Sequence, residues 1–335
     1  MRKLIYVFSI AIAILNVCSA QAAIGQFREF IIDTDMGMDD AMAISYILKH
    51  PNISVKAILI EGNGDAHCRP AYANAIGLLK LLHYTTIPIA CGRSKSFVGG
   101  HVFPERFRNI SDTFANQLLP QISVTSPKLT AHDLLIMSLQ SAASPIDILA
   151  LGPLTTLAEV LEQQPNLKNK IRMIYMMGGA ITVPGNIIDV DPTQNNRVAE
   201  WNIYFDPYAA NKVFHSGVAI TLVPLDVTNT VPLDMFFYER IKSKRLTPAA
   251  EFVYRLLDKN KQQINSNWYF WDSLAAVIAT NEEIASIKLL PLSVRLSPES
   301  YSGATVIDTQ NGAPIRVCLG VADNKFKNIL LNGLN

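Results

Sequence analysis

The chain has 335 residues, 49% of them hydrophobic and 17% charged, with a formal net charge of +1. That is ample for a large core, in one large α/β domain or two smaller ones. With no long basic run and no acidic tail, nothing draws the protein electrostatically to nucleic acid or to anionic membranes.

At the N-terminus, Arg2 and Lys3 precede a nearly unbroken apolar run from Leu4 to Val17 and an Ala20-Gln21-Ala22 pattern. This predicts a secretory signal peptide over residues 1–22, cut after Ala22, and hence a secreted or periplasmic protein with no membrane attachment after cleavage. The run of about 14 residues is short of the ~20 that a bilayer needs. Bulky Val17 before Cys18 argues against a lipoprotein. The remaining chain, residues 23–335, keeps Cys68, Cys91 and Cys318. Their spacing suits no metal motif. One disulfide with a free thiol is open, and three buried thiols are the expectation in so apolar a chain.

Glu29–Ile32 reads as a buried strand. Asp39–His50 has apolar residues at helical spacing, stopped by Pro51. Val55–Ile60 is a strand, Pro70–Leu82 a helix with proline near its first turn, and Ile87–Cys91 a third strand. Residues 92–112, rich in Gly, Arg, Phe and Pro, read as a long loop. Thr130–Ala143 is a helix, Ile146–Leu151 a strand, Thr155–Glu162 a helix and Ile171–Met177 a strand. Gly178–Glu200 has no periodicity, and a structureless stretch that long is usually functional. Pro207–His215 is a helix, Ala219–Val223 a strand, residues 233–280 mostly helical, and Lys288–Leu319 short strands and turns. Strand and helix alternate at least five times, with no repeat or linker. The fold class is therefore a single α/β domain, an open, mainly parallel (mixed) Rossmann-like sheet with helices on both faces.

The strongest local signal is Asp33-Thr34-Asp35-Met36-Gly37-Met38-Asp39-Asp40, four carboxylates within eight residues where a buried strand gives way to a helix. In an open α/β sheet this is the carboxyl edge, where ligands bind. A helix N-terminus contributes only about 0.3–1 kcal/mol per charge, too little to hold four carboxylates together. A divalent cation resolves the repulsion, and oxygen-only ligands favour Ca²⁺ or Mg²⁺ over zinc. The plainer alternative is a capping cluster on a solvated surface. Haloacid-dehalogenase-like phosphatases also place Asp-x-Asp after a first strand, with Mg²⁺ and the first Asp as nucleophile. They need a second acidic pair late in the sheet, and no other Asp-Asp pair occurs in the chain.

Asp33–Ala43, DTDMGMDDAMA, resembles the signature of the nucleoside hydrolase family. Further matches follow in family order: Glu61-Gly62-Asn63, Leu151-Gly152-Pro153-Leu154-Thr155, Met177-Gly178-Gly179, Gly185-Asn186, Ala199-Glu200-Trp201-Asn202, Asp206-Pro207, Pro224-Leu225-Asp226-Val227-Thr228 and Trp271-Asp272. The resemblance implies hydrolysis of the N-glycosidic bond of a small-molecule nucleoside through an oxocarbenium-like state. It implies a Ca²⁺ cofactor held by the carboxylates of Asp35, Asp39, Asp40 and Asp272 and by the main-chain carbonyl of Leu151, where the family usually has Thr. Asp35 is then the general base and Asp33 an orienting residue. Asn186, Glu200 and Asn202 would grip the ribose hydroxyls, Asn63 would contact the 2′/3′ side, and Met177 would pack near the sugar. Taken alone, Asn186 reads as a turn residue, Asn202 as a strand-edge polar group and Asp206 as a helix N-cap.

Many members of that family carry His directly before the late Asp, where it can protonate the leaving base. Here the position is Trp271, as in the purine-specific branch, where the ring stacks on a purine. Trp268 and Phe270 are expected in the core and Trp271 against the base. The 92–112 loop, with Phe97, His101, Phe103, Arg106 and Phe107, could close as a lid and bring His101 in as the acid, although a lone loop histidine is more often solvated. Asn229 stands where some relatives carry His, which weakens a pyrimidine-type assignment. Homodimers and homotetramers are both compatible with the chain. A secreted nucleoside-binding protein without turnover is the remaining alternative, and the full set of carboxylates argues against it.

Overall fold

The structure, a computed structural model, describes residues 27–335 except 99, 121, 123–126 and 267, so the expected signal peptide lies outside the described residues. Nine strands form one sheet: β1 (Arg28–Thr34), β2 (Ile53–Ile60), β3 (Ile89–Cys91), β4 (Ile146–Ala150), β5 (Ile171–Met177), β6 (Ile220–Val223), β7 (Ala285–Val294), β8 (Thr305–Ile307) and β9 (Ala313–Val321). The period of two decides which face each side chain takes. In β1, Phe30 and Ile32 enter one apolar layer and Ile31 the other. Because both faces are covered, the central strands are apolar runs rather than alternating ones.

The spatial order is β3-β2-β1-β4-β5-β6-β9-β7-β8. The first six strands and β9 are parallel, and β7 runs antiparallel to both β9 and β8. From β1 the chain builds outward to β2 and β3, and from β4 it builds the other way to β5 and β6. The carboxyl ends of β1 and β4 therefore bound the crevice at the switch point, where such sheets bind ligands.

One apolar layer is covered by α1 (Met38–Lys49), α2 (Cys68–Leu81), α10 (Met235–Ser243), α11 (Pro248–Lys259), α12 (Trp271–Thr280) and α13 (Asp323–Leu334). The other is covered by α4 (Ala131–Ser141), α5 (Thr155–Gln163) and α8 (Pro207–Phe214). Helix α3 (Glu105–Gln117) and the short α6 (Ile187–Val190), α7 (Trp201–Phe205) and α9 (Leu225–Thr228) belong to the connections at the carboxyl edge.

The expected architecture is thus present, with three local corrections. Residues 92–112 are not all loop, since α3 begins at Glu105. Pro104 ends the extended stretch, and Phe107, Ile110 and Phe114 recur at helical spacing, with Phe114 fully buried. Beyond Leu319 the chain closes with α13, whose Phe326, Leu330 and Leu334 face the core at i, i+4 and i+8. The expectation of three buried thiols also fails. β3 pairs beside β2, Cys91 opposite Ile60, so the end of β3 meets the first turn of α2, and Cys68 is disulfide-bonded to Cys91. Cys318 remains a free, buried thiol.

Candidate active site

Strand β1 passes into α1 in three residues, Asp35 to Gly37. Met36 takes a left-handed conformation at φ +62°, although it carries a side chain. Such strain costs about 1–3 kcal/mol and collects at functional sites. Asp39 and Asp40 then fall in the first turn of α1. Asp40 reaches back, accepting the Gly37 N–H at 2.9 Å and the Thr34 hydroxyl. Asp272 lies in the first turn of α12, which packs along α1. One oxygen each from Asp39, Asp40 and Asp272 lie within 4.8 Å of one another. Asp35 is sealed between two backbone segments: a Cβ added at Gly64 would sit 2.3 Å from its Cβ, and one at Gly152 3.0 Å away. Only glycine permits that approach.

The other wall comes from β4, β5 and the connection after β5. The Asn202 side-chain amide donates to the Leu151 carbonyl at 2.9 Å and to the Met177 carbonyl at 3.2 Å. This fixes the amide plane and leaves Oδ1 as an acceptor. Glu200 caps α7, accepting the Asn202 N–H at 2.9 Å and the Gly179 N–H at 2.8 Å. Asn186 accepts the Trp201 N–H at 3.1 Å, leaving its NH₂ as a donor. The carboxylates of Asp35, Asp39, Asp40 and Asp272, together with Leu151, Met177, Asn186, Glu200, Asn202 and Trp271, all line one cavity of about 440 Å³. Asp206 is a helix cap, accepting the Ala209 N–H at 3.1 Å.

Asn63 and His101, both expected at the substrate, are not among the residues lining the cavity. Asn63 is buried and donates to the Thr155 hydroxyl at 2.9 Å. The His101 ring stacks on Tyr204 with centroids 3.8 Å apart, Nδ1 lies 3.3 Å from Glu299, and Nε2 lies 3.2 Å from the Ser302 hydroxyl. These contacts engage both ring nitrogens of His101 outside the cavity. Trp268 and Phe270 are buried, whereas Trp271, one residue on, is half-buried at the cavity wall. Phe103, Phe107, Trp201, Phe205 and Tyr269 add aromatic surface. Asp65, a further carboxylate of the cavity, was missed because it stands alone in the sequence, outside any acidic run. Its N–H donates to Asp35 at 3.0 Å. A hollow of about 360 Å³ adjoins and shares Asp39, Asp65, Phe103, Phe107 and Trp271.

Burial is the main cause that raises every carboxyl here. It lifts Asp35 and Asp272 well above the usual range, with Asp40 and Asp39 respectively as the chief neighbouring charges. Asp39 is raised to about 6, Asp40 to about 7, the latter with help from Asp39. Glu200 is also raised to about 7 by burial. Behind them, burial and Glu61 raise Asp33. Neither Asp33 oxygen has a donor among the described residues, and that isolation favours the neutral form of the carboxyl.

The model of the family described as "Inosine-uridine preferring nucleoside hydrolase" matches residues 30–328. The chain belongs to the nucleoside hydrolase family. It is similar to the pyrimidine-specific ribonucleoside hydrolase RihA of Escherichia fergusonii, 33% identical over 68% of this chain and 70% of that one. Among solved structures it resembles a plant nucleoside hydrolase (27% identity, TM-score 0.81, 92% of this chain and 99% of that one). It also shares the fold of the purine-preferring ribonucleoside hydrolase of Gardnerella vaginalis (24% identity, TM-score 0.78, 92% and 98%). The enzyme hydrolyses nucleosides at the N-glycosidic bond, and the phosphatase and binding-only alternatives give way to that.

The hydrolase's acidic cluster fits a hard cation. All donors are oxygens, three converge, and their ionisation is opposed by burial and by one another until a positive charge is supplied. A consequence is measurable without substrate. Carboxyls whose folded pKa is raised bind protons more tightly when folded, so metal-free stability falls as pH rises from the ordinary carboxyl value of 3.8 to about 7. In chelator, Tm should be higher at about pH 5.5 than at about pH 7.5, and excess Ca²⁺ should restore it at the higher pH. Thermal melts that rise with pH in chelator would contradict this account.

Proposed function

We propose that this hydrolase is Ca²⁺-dependent, prefers purine ribonucleosides, and works in a secreted or periplasmic setting. The observation that carries the purine preference is the aromatic wall. Trp271 lies beside the carboxylates, and Phe103 and Phe107 line both the cavity and the adjoining hollow. An indole covers more of a two-ring base than of a one-ring base. Its relatives include both a pyrimidine-specific and a purine-preferring hydrolase, so the preference is read from this chain's own walls. The Cys68–Cys91 disulfide is of the kind that persists in oxidising compartments, in keeping with the Ala20-Gln21-Ala22 leader.

In the proposed mechanism, Asp35, Asp39, Asp40, Asp272 and the Leu151 carbonyl would hold the ion. Held there, a calcium ion would supply Lewis acidity to the attacking water. Asp35 keeps one oxygen on the Asp65 N–H and takes the proton from the water as its oxygen bonds to C1′ and the C1′–N bond breaks. The free Asn202 Oδ1 and the Glu200 carboxylate face the positive charge that develops on the sugar. The Asn186 NH₂ holds a ribose oxygen. Stacking on Trp271 makes the departing purine a better proton acceptor at N7, so solvent supplies its proton.

Product analysis on inosine, adenosine, guanosine, uridine and cytidine tests the preference. Ribose and free base should form from the purine nucleosides well ahead of uridine and cytidine. Stacking alone is worth about 0.5–1.5 kcal/mol, or up to about tenfold. With the easier protonation of the stacked purine added to it, Trp271→Ala should lower purine kcat/KM by at least ~10-fold. It should leave a nitrophenyl riboside, whose leaving group needs no proton, within about threefold. Equal losses on both substrates would reduce Trp271 to a packing residue.

A further inference from the structure

Asp35 depends on a neighbouring segment that begins with the Glu61-Gly62-Asn63 motif and runs beyond it to Asp65 and Ala66. The connection after β2, residues 61–67, gives it two backbone donors: Asp65 N–H to its carboxylate at 3.0 Å and Ala66 N–H to its carbonyl at 3.1 Å. That connection is gripped from outside by α3. The Arg108 guanidinium donates to the carbonyls of both Gly62, at 2.9 Å, and Ala66, at 3.0 Å, bracketing the segment that carries Asp65. One turn on, the Ser111 hydroxyl donates to the Asp65 carboxylate at 2.7 Å, and Asp112 accepts the His67 N–H at 2.7 Å. Arg108 is buried, with 6% of its surface exposed, and lines neither hollow of the site.

A buried guanidinium is expensive unless its charge is answered. Among the described residues the buried cations are Arg108 and Lys327, and Lys327 is paired with Asp234 and Asp323. Arg108 instead donates to two backbone carbonyls beside Asp35, with the Asp65 carboxylate as an opposing charge nearby. Packing alone does not require a cation there.

We propose that Arg108 is a positioning residue for the hydrolysis, fixing the backbone of residues 62–66 so that the Asp65 and Ala66 amides fix Asp35. This rests on the hydrolase mechanism given above. Misplacing the base should lower kcat, while the groups assigned to ribose and base keep their geometry and KM changes little.

The test uses the full chain with saturating Ca²⁺. Arg108→Met and Arg108→Lys are compared with wild type for inosine hydrolysis, and amide exchange of the 61–68 peptide is followed by mass spectrometry in the same preparations. Arg108→Met should lose at least ~30-fold in kcat, with KM within about threefold, and exchange that peptide faster. Arg108→Lys, which keeps the charge and a multiple donor, should recover part of the rate and of the protection. A Met variant with near-wild-type kcat, or a loss that appears in KM alone, overturns the proposal. So does slow exchange in a variant that has lost its rate. If Arg108→Met does not fold, Arg108→Gln takes its place: kcat lowered by at least ~10-fold together with faster exchange supports the role, and near-wild-type kcat, or a loss of kcat without faster exchange, overturns it. A wild type without turnover on any nucleoside would remove the hydrolase mechanism itself, and this role with it, and the wild-type control distinguishes that case from a failure of Arg108 alone.

Discussion

Asp272→Ala should strip the metal and the activity together. Asp272 is almost wholly buried, and its oxygen lies within 4.8 Å of oxygens of Asp39 and Asp40, so no other side chain in the first turn of α12 can replace it. Wild-type protein should carry about one Ca²⁺ per chain, and the variant close to none, with hydrolysis lowered by at least ~1000-fold. Asp39→Ala should behave in the same way. Stability separates this from simple damage. In chelator the cluster is a set of buried, mutually repelling carboxyls, so removing Asp272 should leave the melting temperature unchanged or raise it. With Ca²⁺ present, wild type should gain stability and the variant should not. Full activity after exhaustive chelation, or a variant that keeps its calcium, would sink the assignment.

Asp35→Asn should lower kcat at least ~100-fold, with nucleoside binding retained. The amide keeps the size of the side chain and an oxygen for the Asp65 N–H, but it cannot take a proton from water. Asn202→Ala should also cost more in kcat than in affinity, because its acceptor faces charge that exists fully only in the transition state. Single-turnover rates with titrated binding would read both, and a change confined to KM in the two variants would refute these roles.

Most of the cavity was legible in the sequence because its carboxylates cluster. Asp35, Asp39 and Asp40 share one strand-to-helix turn, and Asp272 follows a tryptophan in a motif of its own. The sheet was legible because buried parallel strands are unbroken apolar runs. What escaped was whatever depends on separate segments meeting. Asp65 stands alone in the chain and becomes part of the site only because β2 lies beside β1. The disulfide needed β3 to run beside β2, which spacing does not state. The contacts of His101 with Tyr204, Glu299 and Ser302, more than 100 residues away, were likewise not legible in the 92–112 segment alone. Helix α3 was hidden by composition, since its Arg and Phe residues read as loop until Phe107, Ile110 and Phe114 are counted by threes and fours.

The position of β9 between β6 and β7 bears on how the chain is made. Thr221 in β6 pairs with Arg316, 95 residues later. During synthesis, Ile220–Val223 therefore emerges with one edge unpaired and stays so until almost the whole polypeptide has left the ribosome. An uncovered apolar edge is a template for wrong partners. Nascent chains halted anywhere between β6 and β9 should be the aggregation-prone species, and a holdase chaperone should cross-link to them more strongly than to chains arrested before β6.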